Sequence, residues 1–128
     1  MVQVLVVDDQ PPFRAAARAV VSRIADFDLV GEAASGEEAV ALFESLQPDL
    51  VLMDINMGEM NGIEATRQVT ASHPGTMVIL VSTYAQEDLP GDARTSGAAA
   101  YVHKDELSPR LLQGLWEAGG DPAWPVPA

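Results

Sequence analysis

"PDLVLMDINMGEMNG", Pro48 to Gly62, decides how the rest of the chain is read. From Leu50 to Ile55 every residue but one is apolar, the pattern of a strand buried on both faces. The exception is Asp54, near the far end of the run. Burial on both faces belongs to parallel strands covered by helices, so apolar runs of strand length should alternate with segments of helical period. Outward from Pro48 they do. "VQVLVV" (Val2 to Val7), "DLVGEAA" (Asp28 to Ala34), "DLVLM" (Asp49 to Met53), "TMVILV" (Thr76 to Val81) and "AAYVH" (Ala99 to His103) are strand candidates. "FRAAARAVVSRIA", "GEEAVALFESL", "GIEATRQVTAS", "DLPGDARTS" and "SPRLLQGLWEA" are helix candidates. Parallel strands need crossovers, and each crossover here is helical, which predicts a doubly wound α/β fold with helices on both faces of one parallel sheet.

Local signals agree. Ser35 before Gly36-Glu37-Glu38 has the form of a capping box, and Ser108 before Pro109 is an N-cap followed by proline at the first helical position. After Ala118 the chain changes to "GGDPAWPVPA", which stops any helix. Residues 1–118 are therefore read as one domain and 119–128 as a tail or the start of a linker, with Trp124 expected as a loosely packed tail aromatic.

Composition excludes several classes. With 48% apolar residues in 128, the chain can build one real core. Seven basic against 19 acidic residues give a formal charge of −12, which opposes direct binding to nucleic acid. Nothing approaches the length of a membrane span, and "MVQVLVV" reads as a first strand rather than a leader. The absence of cysteine fits a cytoplasmic protein.

In an open parallel sheet the ligand crevice lies beyond the carboxyl ends of the strands. The first strand delivers Asp8 and Asp9 there, the third Asp54, the fourth Ser82 and Thr83, and the fifth Lys104. Taken singly, each is an ordinary helix-entry acid, loop hydroxyl or surface charge. Together they put three carboxylates, hydroxyls and an ammonium on one rim. Packed carboxylates repel one another and raise a pKa unless a hard divalent cation shares them.

The ordered set "VVDD", "LVLMDINM..MNG", "LVST" and "YVHKD" resembles the receiver domain of bacterial two-component response regulators, over Val2 to about Ala118. It is most like the receivers that precede a helix-turn-helix in transcriptional regulators of the nitrate and quorum class. The resemblance implies a five-stranded sheet of order 2-1-3-4-5 and a switch in which Asp54 accepts a phosphoryl group from a sensor histidine kinase. It implies Mg²⁺ held by Asp9 and Asp54 directly, by Asp8 mostly through water, and by Asn56 through its backbone carbonyl. Lys104 would pair with one phosphoryl oxygen and Ser82 would hydrogen-bond another. Such a domain is a phosphoacceptor rather than an enzyme, with self-phosphotransfer and slow autodephosphorylation at most. Thr83 stands where a small residue is usual. Tyr101 falls where the family keeps an aromatic whose rotamer accompanies switching, and equally reads as a half-buried strand tyrosine. The implied output face, and a homodimer contact, is made by the fourth helix, fifth strand and fifth helix.

Four departures from the family pattern stand out. Gly58 replaces a usual proline, Asp105 replaces the common proline after Lys104, Thr83 adds bulk beside the acceptor, and Pro90-Gly91 falls inside the fourth helix. That helix should be short, bent or displaced, because proline costs ~3 kcal/mol in a helix interior and glycine ~1 relative to alanine. His73 and His103 lack partners at metal-ligand spacing and read as structural or surface residues. A flavin binder of similar fold is disfavoured, since "DDQPP" would repel a phosphate where backbone N–H groups should hold it. An aspartyl phosphatase is disfavoured because neither "DDQ" nor "DIN" supplies a second acid two residues on. A stand-alone receiver, or a phosphorylation-independent interaction module on the same scaffold, remains the alternative to a transcriptional regulator's receiver.

Overall fold

A computed structural model of the chain describes residues 1–58 and 60–124. Five parallel strands, β1 (Val2–Val7), β2 (Phe27–Ala33), β3 (Leu50–Asp54), β4 (Met77–Ser82) and β5 (Ala100–His103), pair in the order β2-β1-β3-β4-β5. Among the described residues four α-helices, α1 (Pro11–Ser22), α2 (Gly36–Leu46), α3 (Gly62–Ser72) and α4 (Pro109–Ala118), join or follow them. The doubly wound expectation holds, and α2 and α3 have the bounds read from the sequence.

The helix starts follow their caps. Ser35 accepts from the Glu38 N–H and Ser108 from the Leu111 N–H, satisfying donors that each first turn leaves free. The Glu38 carboxylate reaches back one residue further than a capping box requires, to the Ala34 N–H.

Side chains alternate across each strand, so each face has its own core. Leu5, Val7, Val51, Met53, Val78 and Leu80 pack against Phe43 of α2 and Ile63 and Val69 of α3. Val4, Val6, Leu50, Leu52, Ile79 and Val81 pack against Ala17 and Val21 of α1 and Leu112 of α4. Continued one step past the last apolar residue, the alternation puts Asp8, Asp54 and Lys104 on the α1/α4 side and Ser82 and Tyr101 on the other.

Two expectations are corrected. The fourth helix candidate is not α-helical: Gln86–Asp88 and Gly91–Ala93 are single 3₁₀ turns separated by Leu89 and Pro90 in extended conformations. Pro90 offers no N–H, and its ring disfavours helical backbone at Leu89, so the break falls where the sequence puts it. Trp124 is not loosely packed. It is 1% exposed and belongs to the α2/α3 core together with Ala93 and Ala98, its ring near that of Tyr101. The chain turns at Gly119 and Gly120, and the Asp121 N–H then donates to the Ala99 carbonyl. Gly120 has φ +110°, and a Cβ there would lie 2.8 Å from that carbonyl oxygen, so only glycine lets the tail press against β5.

Candidate functional site

The carboxyl ends of β1, β3, β4 and β5 meet around a cavity of about 140 Å³ lined by Asp9, Gln10, Asp54, Asn56, Ser82, Thr83 and Lys104. Asp8 is fully buried at its edge. One Asp8 oxygen accepts from the Gln10 N–H at 2.8 Å and the other meets the Lys104 ammonium at 2.7 Å. The same ammonium lies 3.4 Å from Asp54 Oδ1, and one carboxylate oxygen each of Asp8, Asp9 and Asp54 falls within a 4.8 Å span. The residues expected on the rim are thus gathered there, and Tyr101, expected as a switch aromatic or a strand tyrosine, meets one of them, Ser82.

Asp54 is 3% exposed. Burial, and then the negative charge of Asp8, push its carboxyl up to about 6, while Lys104 works in the opposite direction. A cation placed among these carboxylates would favour the ionised form. The donors are hard oxygens beside a polar hollow, which fits Mg²⁺ or Ca²⁺ and offers nothing to a soft metal.

Several supports were not singled out in the sequence. The Phe13 ring centroid lies 4.6 Å from the Lys104 ammonium, a cation–π contact. Arg14 Nη1 donates to the Asp8 carbonyl at 2.7 Å. Gly62 opens α3 so close to β3 that a Cβ would fall 1.8 Å from the Asp54 carbonyl oxygen. The run "PPFR" and the glycine of "MNG" are visible in the sequence, but their contacts arise only when α1 and α3 dock.

The family departures acquire local reasons. Gly58 has φ +58°, which proline cannot adopt. The Asp105 N–H, which proline would lack, donates to His103 Nδ1. His103 Nε2 therefore carries the ring proton and donates to the Thr83 carbonyl at 3.0 Å, tying the loops after β4 and β5 together. His73 packs edge-on against Phe43, 4.7 Å between ring centroids, far from the site.

Tyr101 points inward. Its hydroxyl meets Ser82 Oγ at 2.8 Å and also contacts the carbonyls of Ser82 and Tyr84. The sequence left open whether this tyrosine simply kept a wet hydroxyl; instead it is bonded to the hydroxyl that lines the cavity.

Comparison with known proteins places this geometry. Residues 4–115 match the model of the response regulator receiver domain. The chain is 36% identical over 118 residues to the chemotaxis protein CheY of Listeria monocytogenes, covering 92% of this chain and 98% of that protein. It is 35% identical over 115 residues to the nitrate/nitrite response regulator protein NarL of Escherichia coli, covering 90% of this chain and 53% of NarL. The chain thus spans about half the length of the transcriptional regulators it matches. Among solved structures, the CheX–CheY–BeF₃–Mg²⁺ complex of Borrelia burgdorferi aligns with a TM-score of 0.81 at 26% identity, covering 94% of this chain and 90% of that one. Among the described residues no helix is long and apolar enough to cross a membrane.

Proposed function

The chain belongs to the response regulator receiver domain family of two-component signalling, and from that premise we propose that it is a phosphoacceptor switch whose acceptor is Asp54. One observation carries the reading: a buried carboxylate with a raised pKa faces an ammonium at 3.4 Å, beside two further carboxylates. The donor is a phosphohistidine of a sensor histidine kinase. An Asp54 oxygen attacks phosphorus, the O–P bond forms as the P–N bond breaks, and the electron pair leaves with the imidazole, which takes up a proton.

The attack brings an anion toward an anion, and the neighbours answer that. Lys104 places positive charge where the incoming phosphoryl oxygens collect, as a point charge held by contacts with Phe13 and Asp8. Asp8, Asp9, Asp54 and the backbone carbonyl of Asn56 would hold Mg²⁺, which when bound neutralises charge on the transferring oxygens. Ser82 donates to a phosphoryl oxygen once Asp54 is modified, and Thr83 sets the access to it. Asp54 ends a strand buried on both faces, so the nucleophile is positioned before the donor arrives. Hydrolysis of the acyl phosphate resets the switch slowly.

Beside Lys104, Pro12, Phe13, Ala16, Val20 and Leu107 line an apolar groove of about 370 Å³ between α1 and the loop after β5, a surface suited to the kinase helix that presents the phosphohistidine. The domain serves as the receiver of a transcriptional response regulator, and its phosphorylated form pairs through β5, the 3₁₀ turns before it and α4.

Incubation with acetyl phosphate and Mg²⁺ should add one phosphoryl group by intact mass. Asp54→Asn should abolish the gain and chelation of the metal should suppress it. Equal labelling of Asp54→Asn, or labelling indifferent to the chelator, would remove Asp54 from the role.

A further inference from the structure

The gap left by the broken fourth helix is filled from elsewhere in the chain. Trp124 lies in it with its ring 6.1 Å from that of Tyr101, tilted by 31°, and with the Arg94 guanidinium 4.5 Å from its ring centroid. Arg94 ends the second 3₁₀ turn, so the indole touches both that turn and the tyrosine that bonds Ser82. Two hydrogen bonds fix the approach, Asp121 N–H to the Ala99 carbonyl and Trp124 N–H to the Asp121 carbonyl.

We propose that Trp124 is a positioning residue for the Tyr101–Ser82 pair, and that the docked segment Gly119–Trp124 acts as an internal strap opposing the phosphorylated state. This rests on the reading of Asp54 as acceptor. The hydroxyl protons decide the sign. Tyr101 has one proton and three oxygen neighbours, of which two are carbonyls that can only accept. The shortest contact is to the Tyr84 carbonyl at 2.5 Å, so the phenol proton goes there. Ser82 must then donate its own proton to the phenol oxygen, while accepting from the Tyr84 N–H at 3.1 Å. A phosphoryl oxygen on Asp54 would compete for that same Ser82 proton. While Trp124 backs the Tyr101 ring, the phenol stays where it claims Ser82. When Ser82 turns to the phosphoryl group, the phenol loses a partner, and the indole resting on it loses its fixed support. Binding at Asp54 and docking of Trp124 therefore disfavour one another by the same factor, as linkage requires.

The test uses Trp116→Phe, which leaves Trp124 as the only tryptophan. Acrylamide quenching of Trp124 is followed as Mg²⁺ and beryllofluoride are added, with beryllofluoride binding measured separately by fluorine NMR. Quenching should rise as the site fills. Trp124→Ala should tighten beryllofluoride binding roughly two- to tenfold, the range that one neutral hydrogen bond sets, and Trp124→Phe should restore most of the wild-type affinity. Should Trp124→Ala not fold, Arg94→Ala removes the cation contact of the indole and should move affinity in the same direction. Binding of beryllofluoride with unchanged quenching and unchanged affinity in the variants overturns the strap alone. Failure of beryllofluoride to bind the wild-type protein overturns the acceptor reading and the strap with it.

Discussion

Asp54 carries a cost that its fold does not repay without a cation. Its carboxyl is raised from 3.8 to about 6, chiefly by burial and next by Asp8. Below pH 3.8 folded and unfolded chains both hold the proton, and the group costs nothing. As pH rises toward 6 the unfolded chain ionises first, and the penalty grows to about 2–3 kcal/mol, where it stays at higher pH. Asp54→Asn removes the charge while keeping the shape. In urea unfolding with divalent ions chelated, it should therefore be more stable than wild type by up to about 2–3 kcal/mol at pH 7.5, with the gain vanishing near pH 4. A variant no more stable at pH 7.5 would mean that Asp54 is not held in an unfavourable charged state. The buried position of this residue was legible from its place at the end of an apolar run. Its partners were legible as strand-end residues, because the alternation and the strand ends follow from the sequence. Phe13 and Arg14 were not, because a helix face meets a strand end only through the docking angle of α1.

Among the elements, α3 lies against the backbone of Asp54 itself. Its first residue, Gly62, donates its N–H to the Ile55 carbonyl at 2.8 Å, and its Cα faces the Asp54 carbonyl. An added methyl would fall 1.8 Å from backbone rather than from a side chain that could swing away. Overpacking typically costs ~1–3 kcal/mol, and a rigid obstacle puts Gly62→Ala at or above the upper end. Its urea midpoint should fall with the slope unchanged, and labelling by acetyl phosphate should drop as β3 and α3 are pushed apart. Wild-type stability in Gly62→Ala would show that α3 shifts at no cost. Strand and helix periods made nearly every element readable. The segment around Pro90 was expected to be weakened and is more than that, since two 3₁₀ turns stand where a short, bent or displaced helix was expected. Propensity located the break but could not say what would cover the sheet there. The cover comes from Trp124, some thirty residues later, in a stretch whose glycines and prolines forbid a helix without forbidding burial.

At the scale of the whole molecule, charge separates two effects that a stability measurement would otherwise confuse. A formal charge of −12 makes the folded chain repel itself, so any salt should stabilise it somewhat by screening over about 8–10 Å. Site binding is different in kind, because it acts through a few named oxygens. At a Mg²⁺ concentration ten times the dissociation constant, binding to the native state alone adds about 1.4 kcal/mol. For a domain of this size that is a rise in Tm of roughly 4–6 °C. The comparison must be made against NaCl of matched ionic strength, so that only the site-specific part remains. Asp9 is exposed, lies on the rim and has an oxygen within the 4.8 Å span of the other two acids. Asp9→Ala should therefore lose the Mg²⁺-specific rise while keeping the rise due to NaCl. Glu44→Ala, which removes one exposed charge from α2, should keep both. If Mg²⁺ and matched NaCl raise the wild-type Tm equally, the three carboxylates gain nothing from an ion between them, and the raised pKa of Asp54, which already includes the opposing pull of Lys104, stands unrelieved.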